Sequence, residues 1–213
     1  MPYSVKEIFY SLQGEGRNAG RPAVFCRFTG CNLWNGLERD RSSAVCRFCD
    51  TDFVGTDGSN GGVYETATTL ATAVANLWPT GTPMPGSPLV VFTGGEPLLQ
   101  LDEVVADALH LVGFEVALET NGTRPLPRGI DWVCVSPKAG ADLLLREGDE
   151  LKLVFPQVGA EPGRFDSLAF DHFFLQPMYG PDLARNTALA VEFCLAHPHW
   201  RISLQTHKLL RIP

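Results

Sequence analysis

Apolar and polar positions alternate along this chain in two rhythms. Compact apolar runs bounded by turn residues read as buried strands at 24–28, 89–92, 115–118, 132–135, 151–155, 173–175 and 201–204. Longer stretches lie between some of them. Residues 66–77 are rich in Ala, Thr and Leu and stop before Pro79, 98–112 repeat apolar side chains at helical spacing, and 182–196 form the last long helical stretch. Strand–helix–strand alternation predicts parallel strands with crossover helices. About six such units are legible, fewer than the eight of a full barrel. The expected fold is therefore α/β, a partial (open) TIM-like barrel, with a doubly wound sheet as the competing topology. The 213 residues suit a single domain, 1–213.

In either topology a site forms where strands end at their C-terminal side. Polar groups cluster at those positions: Thr93-Gly94-Gly95-Glu96-Pro97, Glu119-Thr120-Asn121-Gly122, Ser136-Pro137-Lys138, Gln176-Pro177 and Gln205-Thr206-His207-Lys208. One segment, 27–57, breaks the alternation. It reads as a long functional loop, with its inserted part at about 29–57. The stretch containing Trp34 and Leu37 has room for a short helix.

Composition narrows the class. A net charge of −7 argues against general nucleic-acid binding, which needs clustered Lys and Arg. No apolar stretch is long enough to span a bilayer, and the N-terminal residues lack the pattern of a signal peptide, so the expected location is the cytoplasm without membrane contact. Cys26, Cys134 and Cys194 sit in apolar segments and read as buried free thiols.

The other three cysteines carry chemistry. Fourteen residues separate Cys31 from Cys46, and two separate Cys46 from Cys49. Three thiolates suit an iron–sulfur cluster with one open iron, or a zinc site completed by Cys26, His110, His172 or His207. The 93–97 segment is either a tight strand-to-helix turn or a backbone cradle for a ligand. Gln13-Gly14-Glu15-Gly16 is a glycine turn or a donor–acceptor edge for a heterocycle. Arg27 either pairs within a strand or grips a carboxylate. Asp50-Thr51 is a cap or part of a magnesium site. His207 reads as a structural histidine, and Arg39, Arg41 and Arg47 as solvated.

Cys46-Arg47-Phe48-Cys49-Asp50-Thr51, Phe9-Tyr10-Ser11-Leu12-Gln13-Gly14-Glu15-Gly16, Phe92-Thr93-Gly94-Gly95-Glu96-Pro97 and Gln205-Thr206-His207-Lys208 are spread along nearly the whole chain. Together they resemble the 7-carboxy-7-deazaguanine synthase family of radical S-adenosylmethionine enzymes. The departure from the superfamily is the long gap after Cys31. The resemblance implies a [4Fe-4S] cluster on Cys31, Cys46 and Cys49, its open iron chelated by S-adenosylmethionine, which is cleaved to a 5′-deoxyadenosyl radical. It implies cofactor contacts from Phe48, Gly95, Ser136, Pro137, Lys138 and Gln176. Substrate contacts fall to Leu12, Gln13, Gly14, Glu15, Arg27, Thr93 and Pro213, and a Mg2+ ligand to Thr51. The implied reaction converts 6-carboxy-5,6,7,8-tetrahydropterin to 7-carboxy-7-deazaguanine with ring contraction and loss of ammonia, in queuosine or another 7-deazapurine pathway. Implied partners are this pterin, an electron donor such as a flavodoxin, and a second copy in a homodimer. The rivals are a glycyl-radical activase and a non-catalytic zinc-stabilised binding protein. No side chain identifies itself as the acid or base for ammonia release.

Overall fold

The fold is a mixed α/β arrangement around one open sheet, seen in a computed structural model that describes residues 2–79 and 86–213. Among the described residues nine strands take part: β1 (Tyr3–Leu12), β2 (Pro22–Phe28), β3 (Gly62–Tyr64), β4 (Leu89–Gly94), β5 (Glu115–Thr120), β6 (Trp132–Val135), β7 (Glu147–Phe155), β8 (Ala169–Pro177) and β9 (Trp200–Ile202). Their order is β3-β1-β2-β4-β5-β6-β7-β8-β9. β1 pairs antiparallel with β2 and β3, and every pair from β2 to β9 is parallel. The parallel strands follow one another in chain order, without the reversal of a doubly wound sheet.

Six crossovers join these seven parallel strands. Among the described residues only three carry an α-helix: α1 (Ala67–Ala75), α2 (Glu103–Leu111) and α3 (Leu183–Ala196). The other three are loops or a single 3-10 turn at Pro162–Arg164, so the expected six βα units are six parallel connections, half of them without a helix. The expected 98–112 helix is also divided. Pro97–Leu99 is a 3-10 turn, and α2 starts only after Asp102, whose side chain accepts from Val105 N–H at 3.1 Å as an N-cap. A last short helix, α4 (Thr206–Leu210), follows β9. No helix among the described residues is long and apolar enough to cross a membrane.

β1 does not stand out in the apolar pattern because a bulge interrupts its alternation. Its register shifts between Val5 and Glu7, and Val5 and Lys6 are buried in succession. The bulge serves the next segment: Lys6 Nζ donates to Val54 O at 2.9 Å and pairs with Asp52 at 2.9 Å and Asp57 at 2.7 Å. This fastens the C-terminal limb of the long loop to the sheet.

The period-2 alternation of the strands divides two chemistries. Val24, Cys26, Val90, Phe92, Val116 and Leu118 pack outward against Leu70 and Val74 of α1 and Val105 and Leu109 of α2. Val133, Val135, Leu151, Leu153, Phe173 and Leu175 continue that face under Ala190 of α3. On the opposite face the sheet is apolar near the strand starts, at Ala23, Leu89, Val91 and Ala117. Toward the strand ends it turns polar, at Arg27, Thr93, Glu119, Ser136, Lys152 and Gln176. That polar end is where the site forms.

Candidate functional site

A cavity of about 350 Å3 opens over the C-terminal strand ends. Its wall includes Cys31, Cys46, Phe48, Cys49 and Thr51 from the loop, Thr93 and Gly95 after β4, Ser136 and Lys138 after β6, and Gln176 on β8. Leu12, Gln13, Gly14, Glu15, Arg27 and Pro213 complete the lining on the other side. Pro137 is the exception among the expected contacts: it is buried, and its carbonyl accepts from Gln157 Nε2 at 3.3 Å rather than facing the cavity.

The loop is folded rather than loose. Trp34 and Phe53 meet edge to face at 5.6 Å, and a 3-10 helix occupies Glu38–Ser43. Arg41 lies 4.2 Å over the Trp34 ring and donates to the carbonyls of Arg47 and Cys49, each at 2.9 Å. It is therefore a clasp around the last two cysteines, which corrects its reading as a solvated charge. Arg39 is largely exposed, as expected.

A hydrogen bond from the Cys46 thiol, with the Thr51 N–H as a second donor, holds the Cys49 thiol down at about 6 against the opposing effect of burial. That same bond and burial push Cys46 up, and burial pushes Cys31 up. Among the described residues, no three His, Cys, Asp or Glu side chains are gathered to hold one metal ion. A cluster spreads its thiolates over separate irons, whereas zinc draws four ligands to one point. Of the alternative zinc ligands, only His207 lines the cavity. Cys26 packs in the outward core, His110 binds Asp131 at 2.8 Å, and His172 stacks on Trp132. Cys26 and Cys134 are buried free thiols, while Cys194 is partly exposed.

The glycine turn presses on this loop. A Cβ on Gly94 would lie 2.3 Å from Phe28 O, and one on Gly95 would lie 2.1 Å from Gly30 O and 2.7 Å from Cys31 Cβ. Glu96 is fully buried and locks the turn to the end of β5. Its carboxylate accepts from Leu98 N–H at 3.0 Å, Thr120 Oγ1–H at 2.7 Å and Asn121 N–H at 2.8 Å. Burial raises its pKa, and these donors oppose the rise. Glu96→Ala strands three donors, two of them buried, so a loss of about 2–4 kcal/mol of stability is expected from urea unfolding. A loss below about 1 kcal/mol would mean that the turn is held by other contacts.

Between Gln13 and β7 lies a second network. Lys152, 3% exposed on β7, places Nζ 2.5 Å from Glu15 Oε2 and 2.6 Å from Glu119 Oε2. Gln205 Nε2 donates to Glu15 Oε1 and Gln13 Nε2 to Glu119 Oε1, both at 2.9 Å. Burial pushes the Glu15 carboxyl up, but Lys152 and Gln205 outweigh it and hold the group below its ordinary value. Burial pulls Lys152 down, and the surrounding Cys134, Glu119, Glu15 and Glu150 carry it well above its ordinary value. Sequence reasoning assigned no role to Glu119 and passed over Lys152. The available signal was a lysine inside an apolar strand, which requires a buried counter-charge.

The remaining contacts close the rim. Arg27 Nε binds Glu7 at 2.8 Å in the neighbouring strand, as its strand-pairing reading expects, while the residue also lines the cavity. Lys138 Nζ bonds Ser136 through O at 2.6 Å and Oγ at 2.7 Å. Gln176 Oε1 is buried without a hydrogen-bond partner among the described residues, an acceptor available to a ligand donor. The ring of His207 packs on Gly14, and burial lowers its pKa. Lys208 binds Asp50 and sits 3.5 Å over the Tyr179 ring, and Ser11 Oγ donates to Pro213 O at 2.9 Å. Three free thiols, a glycine cradle and an orphaned amide oxygen in one wall suit a cluster with a chelating, donor-bearing cofactor.

No family model matches the chain. It is 62% identical over 213 residues to the 7-carboxy-7-deazaguanine synthase of Caulobacter vibrioides, with both chains fully covered. It is likewise 62% identical over 213 residues, with full coverage of both, to the 7-carboxy-7-deazaguanine synthase of Bordetella pertussis. Its fold aligns with QueE from Escherichia coli at a TM-score of 0.68 and 29% identity, covering 96% of this chain and 94% of that one.

Proposed function

This chain belongs to the 7-carboxy-7-deazaguanine synthase family, and from that premise we propose how its cavity carries out the family reaction. The protein is a radical S-adenosylmethionine enzyme of 7-deazapurine biosynthesis. Its substrate is 6-carboxy-5,6,7,8-tetrahydropterin, converted to 7-carboxy-7-deazaguanine with ring contraction and loss of ammonia. The supporting observation is convergence: the three free thiols, the glycine turn, the orphaned Gln176 oxygen and the Glu15–Lys152–Glu119 network share one cavity of about 350 Å3, a size within the range of small-molecule sites.

Cys31, Cys46 and Cys49 would hold the cluster, and Phe48 beside them would contact the cofactor. When bound, the cluster and S-adenosylmethionine supply one-electron chemistry that side chains lack. The chain supplies placement. The Gly95 backbone, Ser136, Lys138 and Gln176 bind the cofactor, with Pro137 fixing the strand end behind them. Leu12, Gln13, Gly14 and Glu15 take the pterin ring, and Arg27, whose Nε is spent on Glu7, meets the substrate carboxylate with its terminal guanidinium N–H groups. Thr51 offers a hydroxyl to Mg2+, which prefers oxygen ligands and retains water. Thr93 and Pro213 close the substrate side, and His207, its pKa lowered by burial, lies in the same wall. The sequential parallel strands are read as a partial TIM-like barrel. A flavodoxin-type donor and a homodimer complete the proposal. The rim held by Lys208 and Asp50 favours a small substrate over a polypeptide radical acceptor.

Anaerobically reconstituted enzyme, given reductant, S-adenosylmethionine and the carboxylated pterin, is expected to release 7-carboxy-7-deazaguanine, detected by mass spectrometry. A preparation that cleaves S-adenosylmethionine yet forms no deazaguanine would refute the substrate assignment.

A further inference from the structure

The network beneath the cavity holds two carboxylates against one ammonium. Glu15 comes from the turn after β1 and Glu119 from the end of β5, elements that share no sequence neighbourhood. Both converge on Lys152 Nζ, at 2.5 and 2.6 Å. The arrangement is nearly symmetric. Each carboxylate spends one oxygen on Lys152 and the other on a glutamine amide, Gln205 for Glu15 and Gln13 for Glu119. Adjacent buried carboxylates ordinarily force one to take a proton, and a protonated carboxyl loses an acceptor. An ammonium fixed between them removes that pressure.

We propose that Lys152 is a positioning residue that keeps the Glu15 and Glu119 carboxyl groups together as acceptors facing the cavity, and that this pair selects a heterocycle edge bearing adjacent N–H donors. This rests on the pterin reading, in which the aminopyrimidinone edge is such a face. Lys152 lines the cavity with its Nζ engaged by the two carboxylates, and it acts through them. The other titratable groups around it are Glu150 on the same strand and Cys134 on β6, both pushed up by burial. From α4, His207 faces Glu15, with Lys208 and Asp50 beside it. None of these replaces an ammonium between the two carboxylates.

The sign of the pH effect follows from Glu15. With Lys152 present its carboxyl lies below the ordinary value, so it is ionised throughout neutral pH. Without the ammonium, burial dominates and raises that carboxyl, which then takes up a proton as pH falls. Lys152→Met is expected to raise the pterin KM at least about tenfold at neutral pH, with KM worsening as pH falls between about 9 and 6. Iron content and the KM for S-adenosylmethionine should match wild type. Lys152→Arg, which keeps the charge, should restore a flat profile. If Lys152→Met fails to fold, Lys152→Met/Glu119→Gln keeps one net buried negative charge and should show the same pH-dependent KM.

A pterin KM within about twofold of wild type and flat with pH, in whichever of these methionine variants folds, overturns the proposal. A second readout needs no substrate. With the Glu15 pKa raised in the folded state, stability is present at low pH and lost as pH rises through that value. The melting temperature of the folded methionine variant should therefore fall as pH rises from about 5 to 8 relative to wild type, and parallel melting curves also overturn the proposal. If wild type makes no deazaguanine while this melting shift is seen, the pterin reading fails and the role of Lys152 stands.

Discussion

Replacing Cys49 with alanine is expected to give a folded protein that holds little iron and turns over at less than about one thousandth of the wild-type rate, more than about 4 kcal/mol on the barrier. The fold should survive because the loop is held by other groups. Arg41 grips the Cys49 carbonyl rather than its side chain, Trp34 packs on Phe53, and Lys6 fastens Val54, Asp52 and Asp57. What is lost is a thiolate. Cys49 is the cysteine whose thiol is held lowest, with hydrogen bonds from the Cys46 thiol and the Thr51 N–H. Two remaining thiols leave two irons of a four-iron cluster without protein ligands. Iron and sulfide per chain after anaerobic reconstitution, with a thermal melt beside them, separate the two effects. Cys26→Ala is the control: Cys26 is buried in the outward core and should keep its iron. Wild-type iron content in Cys49→Ala, or loss of iron in Cys26→Ala, would contradict the ligand set.

The legible parts of this fold are those where one strand face is apolar without interruption. Val90 and Phe92 lie under helices while their neighbours Leu89 and Val91 are also apolar, so the whole run stands out, and Leu151 and Leu153 keep one face apolar although the charged Lys152 lies between them. β7 begins earlier than its apolar run because Glu150 is a charged residue on the cavity face, and β8 begins earlier because His172 and Asp171 interrupt its pattern. β1 was hidden by its bulge, and β3 is three residues that exist through pairing with β1. The cavity lining was legible where its residues are local in sequence, as in the cysteines, the glycine turn and Gln13 to Glu15. It was not legible where partners are distant. Lys152 lies 33 residues from Glu119 and 137 from Glu15, and only the sheet order brings them together. Arg41 resembles any surface arginine until the loop folds back on it, and Glu96 reads as part of a motif although its carboxylate faces inward to three donors.

Gly95→Ala should reduce turnover at least about a hundredfold, since misplacing a reacting group by an ångström can cost that much. The backbone of Gly95 is outside the left-handed region, so alanine brings no conformational strain of its own. The whole effect comes from space. The added methyl would meet Gly30 O at 2.1 Å, Gly30 C at 2.6 Å and Cys31 Cβ at 2.7 Å, and the first two are backbone atoms that cannot swing away. The turn and the loop must separate. Their joint is the hydrogen bond from Glu96 N–H to Gly30 O at 2.9 Å, so separation breaks it and moves Cys31 directly. Because Glu96 is anchored on Thr120 and Asn121, the loop is the side that yields. Weaker S-adenosylmethionine binding and a perturbed cluster spectrum should accompany the loss of rate. Gly113→Ala provides the contrast. Gly113 has φ +85° and nothing within 4 Å of a built Cβ, so it carries strain without a clash. It should lose about 1 kcal/mol of stability and no activity. If Gly95→Ala keeps turnover within about threefold of wild type, the close approach of the two loops is not what positions the cofactor.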